Sequence, residues 1–362
     1  MNFDQIRSQI SCIPNTWTID SKNISLDSYY SILKFFKNNY ILTSNNTSNK
    51  TTLPEHIPYH QSIFHFLLYY AYYPKIPFIM RFQNQFMFGS IYGKNHSNLE
   101  LSFPLLHHAQ STLKLLDQLI HDASFNHLLS EANITQVLLR DAPDELIQNQ
   151  RSSTIKNVFE QSSIKEINYQ TYDMNRSLEL KGKEFANLRW HLNKFQKENH
   201  TVESVFLSDY LKAVIHLIGA WKKNAIAKRG FSFINVHSDK QAARLFSTST
   251  KIETQDSKHK HPLVSDCLFS VLKVDGHIRS FHLGYPLGIF SKKPVFAHAI
   301  GITDVSIPHL AEYAQYDFWK KIQKQGYRYV NDGPSWRSNL EIFKQKFRPI
   351  HRKRFYYVTL QW

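Results

Sequence analysis

Residues 327–349 read Tyr-Arg-Tyr-Val-Asn-Asp-Gly-Pro-Ser-Trp-Arg-Ser-Asn-Leu-Glu-Ile-Phe-Lys-Gln-Lys-Phe-Arg-Pro. The pattern predicts a short buried strand, a tight Asn331-Asp332-Gly333-Pro334 turn and a helix. That helix is expected to stop by Arg348, because Pro349 restricts the residue before it and brings no N–H to a helical hydrogen bond. A polar turn between a strand and a helix exposes backbone N–H groups and a helix N-terminus, a frequent setting for chemistry. An ordinary connection carries the same turn residues, so the stretch needs a second signal.

The second signal lies upstream, in Leu180-Lys-Gly-Lys-Glu-Phe-Ala-Asn-Leu-Arg-Trp-His-Leu-Asn-Lys-Phe195. Phe185, Leu188, Leu192 and Phe195 recur at steps of three and four, which places them on one face of a helix. The other side is polar and basic. Arg189 and Asn193, four apart, are neighbours on that flank, with Lys183 nearby.

The pattern Gly182-Lys183, five residues, Arg189, three residues, Asn193, one residue, Phe195 resembles the signature segment of the phosphatidylglycerol lysyltransferase C-terminal-domain family. Leu340, Lys344, Phe347 and Pro349, following a Tyr-x-Asn strand, are similar to that family's closing helix and strand. The resemblance runs from about Phe86 to the end. It implies an α/β (α+β) protein of two tandem GNAT-like lobes, the acyl-CoA N-acyltransferase architecture, related to the peptidoglycan-bridge aminoacyltransferases that use charged tRNA. The lipid-modifying members carry an acidic pair and an Arg beside the closing Lys. This chain has Asn331-Asp332-Gly333 and Glu341 there, a departure that touches the lysyl-lipid activity and not the fold.

Length agrees with two lobes, since 362 residues exceed the usual size of one core. The expected division is 1–170 and 171–362, the second lobe carrying both motifs. A hydrophobic share of 42% with 14% aromatic residues excludes a disordered chain. The formal net charge of +15 favours polyanionic partners, RNA or an anionic membrane surface. Lys222, Lys223, Lys228, Arg229 and the run Arg348, Arg352, Lys353, Arg354 contribute to a field able to hold a tRNA acceptor arm through its phosphates. Cys12 and Cys267 lie at no metal or redox spacing, which fits a reducing cytoplasmic compartment. The N-terminus shows no secretion signal, and the apolar run Ile63–Tyr73 falls short of the about 20 residues a membrane span needs. The expectation is a soluble protein, open to peripheral contact with the membrane's inner face.

Taken in order, the chain predicts helices over Leu26–Phe36, His60–Tyr70 and Leu113–Ile120, a loop at 44–52, and strands at Ile76–Met80, Gln85–Tyr92, Leu99–Phe103 and Val137–Leu139. In the second lobe, helices are expected at 183–197, Phe206–Trp221 and Ile307–Gln325, the last capped by Ser306 and ended by Gly326. Asp275-Gly276 between two β-rich runs predicts a hairpin, Val295–Ile302 a further strand, and Arg354–Leu360 the terminal strand. His107-His108 and His259 with His261 lack the carboxylate or cysteine company of a zinc site, so no metal is expected.

In acetyl-CoA-using members of the wider superfamily, a glycine-rich loop between strand and helix cradles the pyrophosphate. Here that junction reads Gly301-Ile-Thr-Asp-Val-Ser-Ile-Pro-His309, so coenzyme A is disfavoured, no cofactor is expected, and aminoacyl-tRNA is the expected donor. The resulting reading is an acyltransferase moving an aminoacyl group from aminoacyl-tRNA to an amine or hydroxyl of a lipid, peptide or small molecule. An acyl-CoA-dependent N-acyltransferase and a non-catalytic RNA- or anionic-surface-binding protein are the alternatives. The chemistry needs a base for the acceptor's proton and a cation or donor for the oxyanion. Asp332 is the candidate base or acceptor-orienting group, beside Asn331. Lys344, matching the family's closing Lys, is the candidate contact for the oxyanion or a donor phosphate. Gly182, Lys183, Arg189, Asn193, Tyr313 and Arg348 are the candidate substrate-binding residues.

Overall fold

The computed structural model describes residues 16–18, 76–82, 85–92, 98–102, 121–131, 133–143, 147, 163–229, 239–244, 246–247, 267–290, 293–335 and 338–361. The expected helices at Leu26–Phe36, His60–Tyr70 and Leu113–Ile120, the loop at 44–52 and both His107-His108 and His259 with His261 lie outside these residues. The chain forms two compact units, Met1–Asn168 together with Lys353–Trp362, and Tyr169–Arg352.

The first unit contains strands β1 (Thr16–Thr18), β2 (Ile76–Phe82), β3 (Gln85–Tyr92), β4 (Asn98–Ser102) and β5 (Gln136–Pro143), with helix α1 (Ala123–Glu131) before β5. β2 and β3 pair antiparallel in the register Ile76↔Ile91 to Phe82↔Gln85. β4 and β5 pair parallel, which requires the intervening crossover. Ile76, Phe78, Ile91, Leu99, Leu101, Val137 and Leu139 are buried. The ring of Phe78 lies over Gly89, where a Cβ would stand 2.3 Å from its Cζ, so the sheet needs glycine at that point.

The second unit begins inside β6 (Ser163–Asp173). It continues with α2 (Met174–Glu179), a 3-10 turn at Lys183–Phe185, α3 (Ala186–Lys197), β7 (Val202–Val205), α4 (Leu207–Arg229), β8 (Leu268–Val274), β9 (His277–Phe290), β10 (Lys293–Thr303), α5 (Leu310–Lys324), β11 (Tyr329–Ser335) and α6 (Ser338–Gln345). Its strands lie in the order β6-β11-β10-β9-β8-β7. β8 and β9 form the expected hairpin about Asp275 (φ 49°) and Gly276 (φ 79°), the left-handed pair that Asp-Gly supplies. The core gathers Tyr172, Met174, Phe185, Leu188, Leu192, Phe296, Phe318, Trp319, Val330 and Phe347. The apolar stripe read on α3 is therefore the stripe it buries.

Several expectations change. The last strand, β12 (His351–Gln361), pairs antiparallel with β5 in the register Phe355↔Pro143 to Gln361↔Gln136, and Lys353–Trp362 belongs to the first unit. The Asn331–Pro334 segment is the end of β11 and not a free turn. As expected, α6 stops before Arg348, which takes φ 56° ahead of Pro349. α5 starts at Leu310, after His309 in the left-handed region with no side-chain cap. Asp304, instead of Ser306, serves that approach by accepting hydrogen bonds from the Ser306 N–H (2.9 Å) and Oγ (2.7 Å). Among the described residues, no helix is long and apolar enough to cross a membrane.

Candidate functional site

β10 and β11 run parallel and pair at Val295↔Tyr329, Phe296↔Val330 and Ala297↔Asn331. Both continue, β10 to Thr303 and β11 to Ser335, with no further pairing between them. The local sequence explains the parting. β10 carries an irregularity between His298 and Ile300. On β11, Asn331 Oδ1 accepts the Gly333 N–H at 2.9 Å, and Gly333 takes φ 63°, a conformation that favours glycine. Pro334 then has no N–H to give a neighbouring strand.

The first residues past the break face each other. His298 Nδ1 lies 3.0 Å from Asp332 Oδ1, and both side chains are buried. Lys344, on α6, is also buried, and its ammonium donates to the backbone carbonyls of Asp332, of Gly333 (3.0 Å) and of Pro334 (3.2 Å). It stands 3.9 Å from Asp332 Oδ2, where Gln315 Nε2 approaches to 3.4 Å. An ammonium has three protons, and three carbonyls take them. Lys344 thus holds the end of β11 and faces the Asp332 carboxylate, with its three protons taken by backbone carbonyls.

Burial alone would raise the Asp332 carboxyl, but the Lys344 ammonium, the neighbouring His298 and the hydrogen bonds from His298 and Gln315 bring it below its ordinary value. Burial pulls Lys344 down from the usual lysine range, and Asp332 opposes that pull. A carboxylate whose value is lower in the folded than in the unfolded chain contributes stability above the ordinary 3.8, and loses it as the pH falls through the folded value. Stability measured by urea titration between about pH 5 and pH 2 is therefore expected to fall with acid. Asp332→Asn is expected to flatten that fall; an unchanged acid slope would remove Asp332 as its source.

The family-like motif segment is built differently. Gly182 has φ 92°, and a Cβ there would meet the Glu184 carboxylate at 2.3 Å, so glycine is required. One amino group of Arg189 donates to the carbonyls of Leu180 and of Gly182 (2.8 Å), which closes this turn onto α3. Lys183 and Asn193 are exposed. Arg348 Nε donates to the Glu184 carbonyl at 2.7 Å, and Lys346 Nζ reaches Glu312 Oε1 (2.6 Å) and His191 Nε2 (3.1 Å). Tyr313 packs on Phe195 with ring centres 4.5 Å apart, a core contact. The two motif segments therefore meet through Phe347, Arg348 and Lys346. No hydrogen bond or ion pair among the described residues joins Arg189 or Asn193 to Asp332 or Lys344.

His298, His282, Gln315 and Trp319 complete the buried site and were not singled out in the sequence. The Trp319 indole N–H lies 3.3 Å from His298 Nδ1, and His282 Nδ1 lies 2.8 Å from His298 Nε2. A signal existed: His298 interrupts the apolar run Val295–Ile302, and His282 sits between Phe281 and Leu283. Their mutual distance depends on the strand register.

A two-unit α/β protein with a parted parallel strand pair is the class that these features define. No protein-family model matches the chain, and no curated protein matches it. Among solved structures, it is similar to a conserved protein of unknown function from Bacteroides thetaiotaomicron, at 16% identity and TM-score 0.61, over 94% of this chain and 98% of that one. That likeness shows a shared fold. Its neighbours also include the C-terminal domain of a putative lysylphosphatidylglycerol synthetase from Agrobacterium fabrum, at 15% identity and TM-score 0.47, over 79% of this chain and 83% of the other. A tandem GNAT protein from the clavulanic acid biosynthesis pathway is a further neighbour, at 8% identity and TM-score 0.49, over 96% of this chain and 98% of that one.

Proposed function

We propose that this protein is an acyltransferase that moves an aminoacyl group from the ester of an aminoacyl-tRNA to an amine or hydroxyl acceptor. The observation that carries the reading is the Asp332–His298 pair at the point where β10 and β11 part. An opening between parallel strands gives an extended donor a place to lie, and an ionised acid–imidazole pair at its base supplies the proton handling that acyl transfer needs. The motif resemblance on α3 and α6 supports the same class, since the two segments pack against each other here. A net charge of +15 suits a polyanionic donor.

The approach to α5 supports tRNA over coenzyme A. A pyrophosphate needs free amides at a helix start. In this chain Asp304 already accepts the Ser306 amide, and Arg279 and Ser306 keep its carboxyl below the ordinary value despite burial, so a negative charge occupies that ground. Pro308 contributes no N–H.

A pool of labelled aminoacyl-tRNAs incubated with the protein and a cell extract tests the reading. Label is expected to leave the tRNA for an acid-stable acceptor, and Asp332→Asn is expected to lower the rate by about 10²–10⁴-fold while the protein stays folded. No movement of label from any charged tRNA would overturn the reading. Saturable thermal stabilisation by coenzyme A would point to the acyl-CoA alternative instead.

A further inference from the structure

We infer that Lys344, Asp332, His298 and His282 form one buried relay whose free end, Nε2 of His282, takes the acceptor's proton during acyl transfer. This inference rests on the transferase reading above. His282 on β9 and His298 on β10 stack with ring centres 5.0 Å apart and planes at 25°. His282 is 2% exposed and His298 4%.

The proton positions follow from one charge. Asp332 is ionised and can only accept, so His298 donates from Nδ1, and with one N–H on the neutral ring its Nε2 is bare. The Trp319 N–H approaches the same Nδ1 at 3.3 Å, but the shorter, charge-assisted contact to the carboxylate keeps the proton between ring and acid. The bare Nε2 of His298 must then receive the Nδ1–H of His282 across 2.8 Å. A neutral imidazole has one N–H, so Nε2 of His282 carries a lone pair. Among the described residues that atom has no hydrogen-bond partner although it is buried. Buried polar atoms without partners are rare and point to a ligand or a reacting group.

The strand beside the pair is bare backbone. Gly301 lies opposite His282 in the β9–β10 register and is exposed. A Cβ at 301 would stand 3.0 Å from His298 Nε2 and 3.4 Å from His282 Cε1, so any other residue would crowd the two rings. The charged and titratable groups around His282 are His298 from β10 and Lys321 from α5, the latter bonded to Ser270 Oγ (2.6 Å) and Asp317 (3.0 Å). Burial first, then His298 and Lys321, hold His282 well below its ordinary value, so it is neutral at pH 7.

The step balances. As the acceptor's nitrogen or oxygen bonds to the ester carbonyl carbon, its proton passes to His282 Nε2, and the imidazolium is stabilised through His298 by Asp332. On collapse the ester C–O bond breaks, and His282 returns the proton to the leaving hydroxyl oxygen. His282 is the base. His298, Asp332 and Lys344 are positioning residues that fix its tautomer.

Nitrogen-15 NMR of histidine-labelled full-length protein tests the tautomer without any substrate, with His282→Gln used to assign the signal. The expected result at pH 7 is a protonated Nδ1 and a bare Nε2 on His282. In transfer assays, His282→Gln is expected to lower the rate by about 10²–10⁴-fold, and the activity of the unaltered protein to persist until the pH drops well below 6.5. Gly301→Ala, which replaces no relay residue but crowds the two rings, is expected to lower transfer by about tenfold or more. An Nε2–H tautomer, or unchanged transfer in folded His282→Gln, would overturn the relay alone. Absence of transfer by the unaltered protein with every donor would overturn the transferase reading itself.

Discussion

Lys344→Ala is expected to destabilise the second unit by about 3–5 kcal/mol, the cost of removing one partner from a buried ion pair. Lys344 is 3% exposed, and Asp332 beside it is 9% exposed. Without the ammonium, the carboxylate loses its nearest positive charge. The carbonyls of Asp332, Gly333 and Pro334 lose their shared donor as well, and water has little access to replace it. The loss is read from urea titration. Adding Asp332→Asn to Lys344→Ala is expected to recover part of the stability, because the stranded charge goes with it. A single-variant loss below about 1 kcal/mol would mean that the pair is solvated and that the end of β11 stands without it.

Trp319→Ala is expected to cost a comparable amount, about 3–5 kcal/mol, for a different reason. The indole is fully buried, with ring centres 4.8 Å from both Tyr172 and Phe347. It therefore links β6, α5 and the segment after α6, and its removal leaves a cavity that these elements cannot close by moving independently. Trp319→Phe keeps part of that packing and gives up the N–H facing His298, so it is expected to lose clearly less. Thermal unfolding of both variants checks the order. Equal losses would place the stabilisation outside the packed ring.

Local chemistry was legible wherever a few neighbouring residues set the conformation. Asp275-Gly276 marks its hairpin because those residue types accept a positive φ. Phe185, Leu188, Leu192 and Phe195 mark the buried stripe of α3 because the helix repeats every 3.6 residues. Boundaries were less legible. Ser306 reads as a cap, but it is spent on Asp304, which Arg279 on β9 holds, and α5 starts at Leu310 after His309 with no side-chain cap. β6 carries no clear strand pattern, because its first four residues are exposed and burial begins only at Ile167.

The sequence by itself determined the α/β class, most strands and helices near the motifs, and Asp332 and Lys344 as residues of interest. Each of those rests on residues close together in the chain. Tertiary structure alone decided that Lys344 is spent on three carbonyls, that His282 meets His298 beside Asp332, and that the last strand returns to the first unit. Those outcomes depend on strand register and on pairings between residues far apart in sequence, which no local pattern specifies.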